Sequence, residues 1–64
     1  MVPTSDVRLL LDVQETCTAL KISRTQLYAV MQRGELPPVR IGRSVRFAVR
    51  DVEAFIERQR EAAL

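Results

Sequence analysis

Histidine and tryptophan are absent from this 64-residue chain, and cysteine occurs once, as Cys17. A chain without histidine or a second cysteine cannot build a Cys/His zinc cluster, an internal disulfide or a histidine-based acid–base pair. So short a chain is also expected to lack a substrate cleft of the usual size, roughly 300 Å³ or more. We therefore expect no enzyme, and no metal, cofactor or small-molecule ligand.

Long apolar runs are missing as well. No stretch approaches the roughly 18 apolar residues of a membrane span, and the N-terminus lacks a basic region followed by an apolar one. These absences predict a cytoplasmic chain with no membrane partner and no signal peptide. The single thiol, Cys17, lies on an apolar stripe and is expected in the core.

Positive charge is concentrated in the middle of the chain. Residues 21–50 contain seven basic residues (Lys21, Arg24, Arg33, Arg40, Arg43, Arg46 and Arg50) against the single acid Glu35, a net charge of +6. The remaining residues carry three arginines against seven acids, a net charge of −4, so the overall charge is only +2. We refer to residues 21–50 as the basic segment. Such a segment favours contact with a polyanion.

Two short helices are predicted before the first glycine. Residues 9–11 are expected to form a short strand or an extended lead-in. Asp12 and Ser23 are N-cap residues, and Glu15 and Gln26 complete capping boxes. The apolar stripes comprise Val13, Cys17 and Leu20 on the first helix and Leu27, Val30 and Met31 on the second. Gly34 ends the second helix, and the short connection between the two is the spacing of a helix-turn-helix unit.

A β-hairpin is predicted for residues 39–47. Val39, Ile41, Val45 and Phe47 alternate with arginines, and a three-residue turn at residues 42–44 would place all four on one face. A two-residue turn is the alternative, and it would set Ile41 opposite Ser44. We favour the three-residue turn, which also sets Arg40 opposite Arg46, a repulsive pair that a phosphate-binding ribbon would justify.

A third helix follows, with Val52, Phe55 and Ile56 as its buried positions. The order helix, turn, helix, hairpin, helix predicts an α+β fold, a small winged helix-turn-helix with a two-stranded wing and a C-terminal helix. We divide the chain into a flexible N-terminal tail at 1–8, a DNA-binding domain at 9–60 and a frayed C-terminal tail at 61–64.

The chain from Leu10 to about Arg58 resembles the excisionase family of small DNA-binding proteins, whose winged helices are similar to those of MerR-type regulators. The resemblance rests on ISRTQLY at 22–28, RGELPPVRIGRSVRF at 33–47 and DVEAFI at 51–56, which follow the family's order and spacing. It implies a recombination directionality factor that binds repeated sites beside an attachment site, bends the DNA and steers an integrase toward excision.

Two groups of residues are candidates for contact with double-stranded DNA. On the second helix they are Ser23, Arg24, Thr25, Tyr28, Gln32 and Arg33; on the wing they are Arg40, Gly42, Arg43, Ser44 and Arg46. Arginine suits guanine and glutamine suits adenine in the major groove, and an arginine at a wing tip suits the minor groove or a phosphate. The alternatives are an ordinary solvated helix face and a solvated basic turn, and Arg33 could instead interact with the helix C-terminus.

Three functional hypotheses remain open at this point. The first is an excisionase that self-associates cooperatively on DNA and acts with an integrase. The second is a small transcriptional regulator that uses the same surface. The third is a protein-interaction module in which residues 55–64 bind an integrase without any contact with DNA.

Overall fold

The computed structural model describes residues 9–63, which form three helices and a three-stranded antiparallel sheet. The elements are β1 (Leu10–Leu11), α1 (Val13–Leu20), α2 (Arg24–Gln32), β2 (Val39–Ile41), β3 (Ser44–Ala48) and α3 (Val49–Ala62). This architecture confirms the α+β class and the order of helices and hairpin. The predicted N-terminal tail at 1–8 lies outside the described residues. Within residues 9–63, no helix is both long and apolar enough to cross a membrane.

Both N-terminal caps form as predicted. The Asp12 Oδ1 accepts from the Glu15 backbone at 2.7 Å, and the Glu15 side chain accepts from the Asp12 backbone at 3.0 Å. Ser23 and Gln26 repeat the reciprocal arrangement at the start of α2, at 3.1 and 2.9 Å. Each box satisfies helix donors that would otherwise have no partner, so both helices begin where the sequence predicts.

The turn between α1 and α2 depends on a residue in the left-handed region. Lys21 has a φ of 56°, and the Ile22 backbone N–H donates to the Cys17 carbonyl at 3.0 Å. Gly34 adopts a similar conformation after α2, with a φ of 75°, and its N–H donates to the Met31 carbonyl at 2.9 Å. These left-handed residues stop each helix and satisfy its last carbonyls.

The hairpin register differs from the prediction. Ile41 pairs with Ser44, Arg40 with Val45 and Val39 with Arg46, so the turn contains only Gly42 and Arg43. Gly42 has a φ of +60°, whereas Arg43 does not have a positive φ. Glycine at the first of two turn residues is typical of a type II′ hairpin, whose twist matches that of the flanking strands. The turn geometry therefore outweighed the alignment of four apolar side chains on one face.

This register separates residues that were expected to be opposite each other. Directly paired residues share a face and successive residues alternate, so Arg40 lies on the face of Val45 and Phe47, and Arg46 lies on the other. The predicted Arg40–Arg46 pair was therefore wrong, and with it the argument from like-charge repulsion. Val39 and Ile41 lie on the face away from Phe47.

A third strand extends the hairpin. Leu10 pairs with Ala48 and Leu11 with Phe47, which gives the order β1-β3-β2. The sheet thus has three strands, although the wing itself, residues 39–48, is a two-stranded hairpin. Leu11 and Phe47 share the face that meets the helices, and Phe47 is fully buried.

The core joins all three helices to the sheet. Its buried apolar members are Cys17, Leu27, Val30, Leu36, Phe47, Val52 and Phe55. Leu36 and Thr16 were not predicted, yet both are fully buried. The Thr16 hydroxyl donates to the Asp12 carbonyl at 2.7 Å, which satisfies its hydroxyl within the helix. Ile56 was predicted in the core and is instead 40% exposed.

The last helix begins directly at the end of the sheet. Ala48 is its N-cap and provides no side-chain hydrogen bond. Asp51 lies in the first turn and Arg60 in the last, which complements the helix dipole. The helix continues to Ala62, two residues into the segment 61–64 for which a frayed tail was predicted. The fraying of this segment and the limits of the DNA-binding domain remain predictions.

Candidate nucleic-acid interface

Helix α2 presents two different faces. Leu27 and Val30 point into the core, whereas Arg24, Tyr28 and Gln32, at successive i+4 positions, are exposed along one stripe. Ser23, Thr25 and Arg33 are exposed as well. All six candidates on this helix are therefore open to solvent, and Tyr28, at 46% exposed, is a large aromatic side chain among them.

A residue of α1 also belongs to this surface, and no pattern in the sequence indicates it. Gln14 is exposed, and its Oε1 accepts from the Arg24 guanidinium at 3.5 Å. The Gln14 amide also donates to the Thr18 hydroxyl at 3.3 Å. Because these partners come from separate helices, only the packing of α1 against α2 could reveal the cluster. Gln14 biases the position of the Arg24 side chain at the start of α2.

The wing carries the second group of candidates. Arg40, Gly42 and Arg43 are exposed, and Ser44 and Arg46 are half-buried. The Arg46 guanidinium donates to the neighbouring Val45 carbonyl at 3.0 Å. Arg40 and Arg46 project from opposite faces of the wing, and Arg43 lies between them at its tip. The hairpin thus presents positive charge on both faces and at its end.

Arg33 differs from the other basic residues of this surface. Its Nε lies 2.8 Å from the Glu35 Oε2, an ion pair across Gly34. Glu35 is tied in turn to α3, because Gln59 donates to its carboxylate at 3.5 Å and Arg58 donates to its carbonyl. The only acid of the basic segment therefore neutralises Arg33.

The remaining basic residues of the segment form no ion pair within the part of the chain that the structure describes. Among residues 9–63 the ion pairs are Arg33–Glu35 and Arg60–Glu57. Neither involves Lys21, Arg24, Arg40, Arg43, Arg46 or Arg50. Six cations on or beside α2 and the wing thus lack an acidic partner among residues 9–63, and such a concentration of positive charge attracts anions.

A separate surface lies between the α1–α2 turn and the second half of α3. It is an open groove of about 500 Å³, lined by Leu20, Ile22, Phe55, Ile56, Gln59, Arg60 and Ala63. Its volume is above the roughly 300 Å³ of a small substrate cleft, but the groove is open to solvent and its lining is mainly apolar. An adjoining hollow of about 260 Å³ shares Ile22, Phe55 and Gln59. Neither contains Arg24, Tyr28 or Gln32, so the groove is distinct from the exposed stripe of α2.

Comparison with known proteins agrees with this architecture. Two proteins of Mycobacterium tuberculosis, from strains CDC 1551 and H37Rv, are each 38% identical to the chain over 48 residues, and each is named "Putative DNA-binding protein". The aligned region covers 75% of this chain but only 62% of each relative. No solved structure gives a significant match. Residues 10–60 match the family described as Helix-turn-helix domain, and the chain belongs to that family.

Proposed function

We propose that this protein binds double-stranded DNA, with α2 in the major groove and the wing against the neighbouring backbone and minor groove. The observation that carries the proposal is an exposed helix stripe beside six cations that form no ion pair with any other described residue. Membership of the helix-turn-helix family and the names of the two relatives support the same function. In this motif the second helix enters the major groove with its N-terminal residues toward the bases.

The two groups of residues have different tasks in this proposal. Arg24 and Gln32 read base edges, with guanine and adenine as their preferred partners, and Tyr28 contacts the backbone or a thymine methyl between them. Ser23 and Thr25 lie at the N-terminus of α2, where hydroxyl and backbone donors suit a phosphate.

On the wing, Arg43 enters the minor groove while Gly42 lets the backbone approach closely. Arg40 and Arg46 contact phosphates from its two faces, with Ser44 as a further hydroxyl donor. Arg33 contributes least, because Glu35 already neutralises it.

We further propose that the DNA-binding function is that of an excisionase, a recombination directionality factor that bends attachment-site DNA and favours excision by an integrase. Support comes from the three sequence segments, at 22–28, 33–47 and 51–56, that resemble this family. A single small module gives modest specificity, so cooperative loading on tandem sites would supply the rest. The division between a basic segment of +6 and an acidic remainder of −4 favours contact between neighbouring copies.

The apolar groove supports a contact with the integrase itself. Phe55, Ile56 and Ala63 line it from α3, and its lining includes none of Arg24, Tyr28 and Gln32, the residues proposed to face the DNA. An amphipathic helix of the recombinase is the partner that such a groove fits. A transcriptional regulator would use the DNA surface in the same way without needing this contact.

Selection from a random-sequence duplex library, followed by gel shift of the selected duplex, tests DNA binding. We expect a retained complex whose affinity falls steeply between 50 and 200 mM salt, as expected for several phosphate contacts. On a duplex with tandem sites we expect a ladder of cooperative complexes. Failure to select any duplex, even at low salt, would refute the proposal.

A recombination assay with the cognate integrase distinguishes an excisionase from a transcriptional regulator. An excisionase stimulates excision, whereas a regulator binds its site and leaves excision unchanged. Replacing Ile56 with Glu, which places a charge in the groove, should reduce excision without changing the gel shift. The matched control is Ala54→Glu, which introduces the same charge at an exposed α3 residue outside the groove lining. If excision is stimulated equally by Ile56→Glu and the unmodified protein, the groove is not the integrase contact.

A further inference from the structure

The wing carries an apolar side chain that the core does not use. Ile41 is 56% exposed and is not among the residues packed against the core cluster. It is the last residue of β2, immediately before the Gly42–Arg43 turn, and β2 is an edge strand of the sheet. The wing tip therefore presents a β-branched aliphatic side chain to solvent.

The hairpin register is the cause of this exposure. Ile41 pairs with Ser44, so its side chain shares a face with Ser44 and Arg46, while Phe47 and Val45 turn toward the core. The position of the Ile41 Cα is held by its backbone pairing with Ser44 and by the two-residue turn that follows it. The side chain is thus mounted on a short two-stranded projection rather than on a loop.

The neighbours of Ile41 distinguish it from an ordinary exposed apolar residue. Arg40 precedes it, Gly42 and Arg43 follow it, and all three are exposed. Neither arginine has an acidic partner among the described residues. Arg43 lies beside Ile41 at the tip and Arg46 lies on the same face, whereas Arg40 lies on the opposite face. An apolar side chain beside arginines at the end of a narrow ribbon has the chemistry of a minor-groove wedge, in which the arginines contact the groove or the backbone and the apolar group enters between two bases.

We propose that Ile41 inserts at a base step in the minor groove and kinks the bound DNA. The inference rests on the DNA-binding function proposed above and adds the residue that deforms the duplex. Unstacking is least costly at pyrimidine–purine steps such as TA and CA, so Ile41 should favour one of these steps beneath the wing. Ile41 would then contribute specificity without a hydrogen bond to any base.

The experiment uses the duplex selected by the unmodified protein, with 2-aminopurine replacing each adenine in turn. Base unstacking increases the fluorescence of this analogue. We expect an increase at one step on binding, its loss with Ile41→Ala, and its retention with Ile41→Leu. DNA bending, followed by energy transfer between dyes at the duplex ends, should decrease with Ile41→Ala only. Val39→Ala, on the same face but two residues from the tip, is the matched control.

The results separate the wedge from the underlying function. Binding by the unmodified protein with no fluorescence increase at any position would refute the wedge and leave DNA binding intact. A fluorescence increase that is unchanged by Ile41→Ala would also refute the wedge. Loss of cooperativity on tandem sites with DNA bending preserved would refute it too, because Ile41 would then be a contact between protein copies. Failure of the unmodified protein to bind any duplex would instead overturn the proposed function. Circular dichroism melting checks that the variants fold.

Discussion

Arg33 and Glu35 form an ion pair, with 2.8 Å between Nε and Oε2, on either side of the glycine that ends α2. The pair removes one cation from the proposed DNA surface. It also connects that surface to α3, since Arg58 and Gln59 both donate to Glu35. The single acid of the basic segment therefore has a structural role and an electrostatic one.

Glu35→Gln should strengthen DNA binding. The substitution releases Arg33, so we expect a severalfold higher affinity at low salt and a salt slope steeper by about one unit. The amide keeps a hydrogen-bonding group beside Gln59, and loss of an exposed ion pair costs about 0–1 kcal/mol of unfolding free energy. Gel shifts over a salt series and thermal melting measure the two effects. Glu61→Gln, on the far end of α3, is the control; an equal gain there would indicate a general charge effect.

Arg24→Ala should weaken binding to the selected site by about 1–3 kcal/mol and relax preference at one base pair. The reason is the loss of a bidentate base contact at the start of the proposed recognition helix. Binding to a set of single-substitution duplexes measures the preference. Arg60→Ala removes an arginine paired with Glu57 on α3 and should leave binding unchanged. Equal effects of the two variants would contradict base contact by Arg24.

Arg46→Ala should weaken binding to all sequences alike and reduce the salt slope by about one unit, as expected for a phosphate contact. Arg40→Ala should have the same two effects, because Arg40 is proposed to contact phosphates from the other face of the wing. The same salt series on selected and scrambled duplexes provides the test. A change in base preference with either variant would assign it to base recognition instead.

Gly42→Ala should destabilise the domain through backbone conformation alone. A Cβ at this position would meet no heavy atom within 4 Å, but the φ of +60° is unfavourable for alanine. We expect a loss of about 1 kcal/mol in unfolding free energy, and a smaller loss for Gly42→Asn, because asparagine tolerates the left-handed region better. Denaturant unfolding measures both variants. An unaffected Gly42→Ala would argue against the two-residue turn.

Leu36→Ala and Ile56→Ala should differ sharply in stability. Leu36 is fully buried, so its truncation should cost about 2–5 kcal/mol, enough to unfold much of a domain this small. Ile56 is 40% exposed and its truncation should cost well under half as much. Denaturant unfolding followed by circular dichroism distinguishes them. The opposite ranking would restore the assignment made from sequence periodicity.

Most of the local structure was predictable because it depends on residues close in sequence. Asp12 with Glu15, and Ser23 with Gln26, form capping boxes through contacts three residues apart. Gly34 ends α2 through its own backbone freedom. Leu10 and Leu11 formed the short strand that was expected, but their pairing with Phe47 and Ala48 required knowledge of the whole sheet.

The errors arise partly from turn geometry and partly from tertiary packing. Apolar alternation favoured a face shared by Val39, Ile41, Val45 and Phe47, yet the Gly42 turn places the first two on the opposite side. Leu36 has no periodic partner in the sequence, although it is fully buried in the core. Gln14 joins the surface of Arg24 only because α1 packs beside α2.

The sequence by itself determined the two helix starts, the helix stop at Gly34, the order of elements and the concentration of cations between residues 21 and 50. These features arise from capping, backbone conformation and composition, which act over a few residues. Tertiary structure alone decided the pairing of β1 with β3, the burial of Leu36, the exposure of Ile56 and the contacts of Glu35 with α3. Each of these depends on which segments pack together, because burial and ion pairing are properties of the surroundings and not of the residue.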